Sequence, residues 1–294
     1  MKRILFLLLA NFFFFHTTRA EHITGGEMYY RLVSTNGVDF TYEVTLKLYR
    51  DCDSRGAQLD GTAAIGVFDM GTRALLRNIS VPLTRTETLN LASPGPCIVN
   101  APRVCYNVGY YITSITLPAS VAGYTLAYQR CCRINGINNL INSGGAGATY
   151  TAVIPGTNRR TDGPENHSAQ FKGVDTVIVC GGYPFTYSFE AIDDDGDELR
   201  YRFCSAYLGG GQSGQDGGPN SPVPNPPAAP PYSNVTYSFP FSSSQPLGPN
   251  VQINSSTGLI TGVAPDQGIY VVTVCVEEVR NGVVIATQRK RFAD

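Results

Sequence analysis

Six consecutive residues, Asp193-Asp194-Asp195-Gly196-Asp197-Glu198, carry the densest chemistry in the chain. Alternate carboxylates at Asp193, Asp195 and Asp197, around a turn that Gly196 permits, can converge on a hard cation, and calcium takes oxygen ligands of this kind. Glu190, just upstream, can add another oxygen. The run is not an EF-hand loop, because the glycine stands fourth from Asp193 rather than sixth and no Glu stands twelfth. The plainer expectation is a solvated turn, since Asp and Gly are common turn formers. Clustered acids repel one another without a cation, which favours calcium at Asp193, Asp195 and Asp197. No other cofactor is required.

The cysteines carry the second chemistry. There are eight: Cys52, Cys97, Cys105, Cys131, Cys132, Cys180, Cys204 and Cys275. An even number behind an export signal reads as disulfides formed in an oxidising compartment. No spacing is CxxC, and only His22 and His167 remain beyond the signal, which points away from structural zinc. Alternation places Cys204 with Arg200 and Arg202, and Cys275 with Thr273 and Glu277, both on outer strand faces. A cross-strand Cys204–Cys275 bridge is expected. Cys97 and Cys105 flank a Pro-containing loop and can close locally. The adjacent Cys131 and Cys132 point to opposite faces of an extended chain, so they can reach Cys52 on one side and Cys180 on the other. Sequence does not choose among these connectivities.

Other chemistry is absent at the level of motifs. There is no GxSxG, no HExxH and no phosphate-binding glycine loop between a strand and a helix, so a non-enzymatic protein is expected. The formal net charge is −1; without residues 1–20 there are 19 basic against 23 acidic side chains, or −4. That balance offers no basic face for nucleic acid and no polybasic anchor for anionic lipid.

Residues 1–20 read as a signal peptide. Lys2 and Arg3 precede an apolar stretch at 4–15 broken only by Asn11, and Thr18-Arg19-Ala20 suits cleavage before Glu21. The stretch is short for a bilayer span, and no later segment is apolar for long enough to be a transmembrane helix.

The elements that must position these groups are strands. Charged residues make up only 15% of the chain, while 31 Gly and 19 Pro punctuate Val-, Thr- and Tyr-rich runs, which suits an all-β protein. Residues 40–49 alternate, with Tyr42, Val44, Leu46 and Leu48 on one face and Glu43, Thr45 and Lys47 on the other. Asn36-Gly37 before it signals a hairpin. Strands are expected at 27–33, 40–49, 64–68, 75–83, 106–117, 124–131 and 148–154, forming a first sandwich module over 21–158. The polar stretch 159–175 is a linker. A second, immunoglobulin-like module over 176–294 has strands at 176–180, 184–191, 199–204, 235–239, 252–254, 259–261, 270–278 and 283–292. Within it the Gly/Pro-rich run 209–231 excludes a central strand and is expected as a solvent-exposed loop with polyproline II character. The stretch 124–140, YTLAYQRCCRINGINNL, is the junction, because its cysteines can tie separate parts together.

Segments spread along the chain resemble the N-terminal region of large Bacteroidota exported surface proteins of the gliding-motility-associated, PKD-like kind. They are HITGGEMYYRL, YEVTLKLYRDC, AAIGVFD, GYTLAYQRCCRINGINNLIN, GATYTAVIP, DDDGDELRYRFC, NSSTGLITGVAPDQGIYVVTVCVEEVRNG and RKRF. The resemblance implies consecutive antiparallel β-sandwiches of immunoglobulin, PKD or cadherin type, export, and a place on or outside the cell. Members of that kind run on into further repeats, so the chain is expected to be an exported surface protein or the N-terminal segment of a longer one. The expected role is structural or adhesive, linked to gliding or attachment, with other cell-surface proteins as partners. The alternative is a secreted carbohydrate-binding sandwich that meets extracellular glycans through Tyr29, Tyr30, Tyr110, Tyr111 and Tyr232.

Overall fold

Asn36 and Gly37 turn the chain as their types predict. Asn36 Oδ1 accepts the backbone N–H groups of Val38 and Asp39 at 2.9 and 2.7 Å, and Gly37 takes φ 86°. The turn joins β1 (Ile23–Thr35) to β2 (Asp39–Asp51) in an antiparallel hairpin. The computed structural model describes residues 23–91, 104–173, 175–176, 178–212, 214–215 and 217–293; the expected signal peptide and Cys97 lie outside them. Next come β3 (Thr62–Asp69), β4 (Leu75–Asn90), β5 (Cys105–Pro118), β6 (Gly123–Arg130) and β7 (Ala148–Pro155). The later strands are β8 (Gln170–Phe171), β9 (Pro184–Ser188), β10 (Ala191–Ile192), β11 (Glu198–Phe203), β12 (Val251–Ile253), β13 (Leu259–Val263), β14 (Val271–Arg280) and β15 (Val283–Ala293).

The protein is all-β with large antiparallel sheets, sandwich-like as expected. A 10-stranded sheet runs β11-β14-β15-β1-β2-β5-β4-β3-β6-β7, beside a three-stranded β12-β13-β9 sheet and a β10-β8 pair. The first strand pairs with the last: Gly26 lies opposite Arg291, and Glu27 opposite Lys290. The main sheet therefore crosses the boundary placed at 159–175. That stretch is not a free polar linker. Asn166, Ser168 and Ala169 are buried in it, and β8 lies at its end. The described residues of the expected strand at 176–180 are irregular, and the expected strand at 235–239 is irregular apart from a single isolated bridge at Tyr237.

β4 turns the sheet over on itself. Its first half pairs with β3 and its second with β5, with a register shift between Leu83 and Arg85. The two halves enclose a core of Tyr30, Tyr42, Val44, Leu46, Ile65, Leu126 and Tyr150. The expected alternation holds over the first part of β2. From Thr45 onward the other face is covered too, because Tyr49, Tyr106, Val108 and Tyr110 form a second core with Phe189, Tyr201, Phe203, Val274, Val276 and Phe292. Phe292 lies edge-on to Tyr49 and Tyr106, with centroids at 5.4 and 5.5 Å, an arrangement aromatic pairs favour. The end of the chain is thus packed against the outer face of its beginning.

The described part of the run 209–231 is irregular, as its composition dictates, and much of it is exposed as expected, but Ser221, Pro224 and Pro227 are buried. It meets the end of β6, whose eight residues are all buried: Tyr124, Leu126 and Tyr128 lie in the first core, and Gln129 on the other face contacts the run. Cys131 N–H donates to Pro222 O at 2.8 Å, and Ala228 N–H donates to Gln129 Oε1 at 2.9 Å. Glycine permits the close approach: a Cβ on Gly147 would sit 1.7 Å from Gly209 O. A Gly147→Ala variant is therefore expected to lose about 1–3 kcal/mol through overpacking. Its readout is limited proteolysis, with new cuts inside 209–231; an unchanged digest and melting curve would contradict the packing.

Candidate functional site

The turn between β10 and β11 is fixed by its own first residue. Asp193 Oδ1 accepts the N–H groups of Asp195 and Asp197, both at 3.0 Å, and Gly196 takes φ 77°, which favours glycine. One ligand atom from each of Asp193, Asp195 and Asp197 lies within 4.8 Å of the others, so the three carboxylates do converge. Glu190 N–H instead bonds Ser188 Oγ in the turn before β10.

A cation from the protein stands among the carboxylates. Arg280, at the end of β14, donates through Nε to Asp197 Oδ1 at 2.8 Å and through Nη2 to Asp197 Oδ2 at 2.7 Å. The same Nη2 lies 2.9 Å from Asp195 Oδ2 and 2.8 Å from Asn166 Oδ1. His167 Nδ1 lies 2.7 Å from Asp195 Oδ1, and its backbone N–H donates to Asp195 Oδ2 at 2.7 Å. Of the six carboxylate oxygens, only Asp193 Oδ2 is buried without a partner. Burial, opposed by the N–H group of Asp197, pushes the Asp193 carboxyl up, while the Asp197 hydrogen bond leads the causes that raise Arg280.

Beneath this surface lies a buried layer. Asn166 Nδ2 donates to Glu278 Oε2 at 2.7 Å and to the Tyr30 hydroxyl at 3.0 Å, and Ala169 N–H donates to Glu278 Oε1 at 2.9 Å. Ser168 Oγ accepts from Tyr30 N–H at 2.8 Å and donates to Tyr30 O at 3.0 Å. Residues 166–169 are thereby stitched to β1 and β14.

Burial raises the Glu278 carboxyl from 4.5 to about 7. Between those values the folded chain keeps a proton that the unfolded chain has released, so stability falls as pH rises through the window. The loss is roughly 3 kcal/mol at most. Glu278→Gln removes this slope. Denaturant titrations near about pH 5 and about pH 8 are expected to favour the variant more at the higher value; a constant difference would contradict it.

The cysteines are resolved in part. Cys204 and Cys275 are joined as expected, with Cα atoms 5.9 Å apart. Both are buried rather than on open faces, because a third cluster of Ile137, Leu140, Ala206, Val235 and Val271 packs beside that end of β14. The expected local closure of Cys105 on Cys97 is corrected: Cys105 is joined to Cys52, 53 residues away. The reason is register, since Asp51 lies opposite Tyr106 and Cys52 N–H donates to Cys105 O at 3.0 Å. Cys131 and Cys132 are likewise not tied to Cys52 and Cys180. They are paired with each other across a cis peptide bond, and Cys180 is also disulfide-bonded. The junction at 130–133 nonetheless exists, built from arginines. Arg130 Nε and Nη2 reach Asp60 at 2.7 and 3.1 Å, and Arg133 Nη2 donates to Tyr207 O at 2.6 Å.

Arg280, Glu278 and Asn139 were not legible as site residues in the sequence. Glu278 and Arg280 stand two apart in VCVEEVRNG and share a strand face, which could have marked them. Asn139 has no such signal, yet it pairs like a strand residue: its Oδ1 accepts Val271 N–H and its Nδ2 donates to Val271 O, both at 2.9 Å. The tyrosines named for glycan contact do not form a surface: Tyr30, Tyr110 and Tyr111 are buried, and Tyr29 and Tyr232 are half-buried.

No family model, curated protein or solved structure matches the chain. Fold and site together define an all-β protein of large antiparallel sheets with disulfide-paired cysteines. Among the described residues, no helix is long and apolar enough to cross a membrane.

Proposed function

We propose that the chain is a non-enzymatic exported module of the cell surface with a structural or adhesive role. The observation that carries this reading is the pair of disulfides joining strands distant in sequence, Cys52–Cys105 and Cys204–Cys275, since such bonds persist in oxidising compartments. Other cell-surface proteins are the partners this reading implies, and attachment or gliding is the process. At the acidic turn, Arg280 supplies the positive charge that calcium would bring, so the turn acts as a clasp for residues 162–169.

The test uses Fab fragments raised against the folded chain. They are expected to label intact cells and to reduce attachment of those cells to a surface. Labelling only after permeabilisation, or attachment unchanged under saturating Fab, would contradict the proposal.

A further inference from the structure

Four charged side chains from four segments meet inside the second core. Glu27 on β1 is flanked on the same face by its register partners, Lys47 on β2 and Lys290 on β15. Asp175 comes in from the segment after β8. Glu27, Asp175 and Lys290 are each at most 7% exposed. Lys290 Nζ lies 2.5 Å from Asp175 Oδ1 and 3.4 Å from Glu27 Oε1. Lys47 Nζ lies 2.6 Å from Asp175 Oδ2 and 4.0 Å from Glu27 Oε1. Aromatic rings wall the cluster: Lys47 sits 5.1 Å from the Tyr49 centroid and Lys290 5.8 Å from that of Phe171.

We propose that Lys290 and Asp175 condense to an intramolecular amide, with Glu27 as the proton carrier. A buried ion quartet is a weak source of stability, because desolvating the charges offsets their attraction. The same four groups supply each part of an acyl-transfer site. Lys290 on β15 is the nucleophile and Asp175 Cγ the electrophile, already in contact in the folded chain, so little encounter entropy remains to be lost. Glu27 is within reach of Nζ as base and acid. Lys47 stands on Asp175 Oδ2, where negative charge develops.

The step balances without a co-reactant. Burial disfavours charge on both partners, while attraction to Glu27 and Asp175 keeps Lys290 an ammonium and attraction to both lysines keeps Asp175 a carboxylate at rest. The ammonium passes one proton to Asp175 Oδ1 along their contact, giving an amine and a carboxylic acid. Nζ attacks Cγ and forms the C–N bond, and Glu27 takes a second proton from nitrogen. The oxyanion on Oδ2 is held by the Lys47 ammonium. Glu27 returns its proton to Oδ1, the C–Oδ1 bond breaks, and one water leaves. Lys290 is chosen over Lys47 because it is the more buried and the closer to Glu27. The amide would tie the last strand to the segment that opens the second core, three residues before Ala293. This inference does not rest on the proposed function, and failure of either leaves the other standing.

The test is the intact mass of the purified full chain after disulfide reduction, followed by peptide mapping. The expected result is a protein lighter by one water, with a branched peptide joining Asp175 to Lys290 and no tryptic cut at Lys290. Lys290→Arg is expected to abolish the branch, and Glu27→Gln to slow its formation by about 10²-fold or more. An intact Cys204–Cys275 bond reports that either variant has folded. A full-mass wild-type protein overturns the proposal. So does water lost elsewhere, as from an N-terminal glutamate or an imide at Asp175, and so does a branch on Lys47.

Discussion

Replacing Arg280 with alanine is expected to cost about 3–5 kcal/mol, because it removes one partner from a partly buried charge network and leaves the others uncompensated. Asp197 keeps only 4% of its side-chain surface and Asp195 17%, so neither can recover full hydration without moving. Asn166 would lose an acceptor contact at the same time, and with it the anchoring of residues 166–169 above Glu278. Arg280→Lys is expected to recover only part of the loss, since an ammonium cannot span both oxygens of Asp197 as the guanidinium does. Denaturant titration of the two variants gives the comparison. If alanine costs less than about 1 kcal/mol, the clasp is an ordinary surface ion pair. The wild-type melting temperature is expected to be unmoved by millimolar calcium or chelator, because Arg280 already engages Asp195 and Asp197; a marked rise with calcium would show that the ion displaces it.

Removing the Cys204–Cys275 bond through a double change to alanine is expected to cost about 4 kcal/mol. The bond closes 71 residues of chain, and the loss follows from the entropy returned to the unfolded state. Three features keep the folded state otherwise intact. Arg202 lies opposite Cys275 in the β11–β14 ladder, Cys204 N–H bonds Thr273 O at 3.0 Å, and Val274 and Val276 remain packed in the second core. Native-like structure with a lowered denaturation midpoint is therefore the expected outcome, rather than failure to fold. A double variant as stable as wild type would mean that the unfolded chain is restrained by something other than this bond.

The strands were legible because their signals are local. Alternation at Tyr42, Val44, Leu46 and Leu48, the Asn36-Gly37 turn and the Gly/Pro breaks each act over a few residues, and the ladders formed where they pointed. What was not legible depends on register between distant segments. Cys52 meets Cys105 only because β2 and β5 are neighbours aligned at Asp51 and Tyr106. The run 209–231 looked solvated by composition, yet its backbone groups meet Cys131 and Gln129, and glycine makes that contact steric rather than flexible. The acidic turn was legible as a convergence of carboxylates. Its counter-charge was not, because Arg280 arrives from a strand 83 residues away from Asp197. Lys47 read as part of a polar strand face, and the core that covers that face joins residues of β2 and β5 to strands from the later part of the chain.

The bracing of the fold and its place in an oxidising compartment both rest on the state of the cysteines in the native protein. Protein recovered from cells under acid quench, alkylated and mapped without reduction, tests it in one measurement. Cys52–Cys105 and Cys204–Cys275 cross-linked peptides are expected, with no alkylated cysteine at these positions. Alkylated, reduced Cys204 and Cys275 in the native protein would contradict both the bracing of the fold and its place in an oxidising compartment.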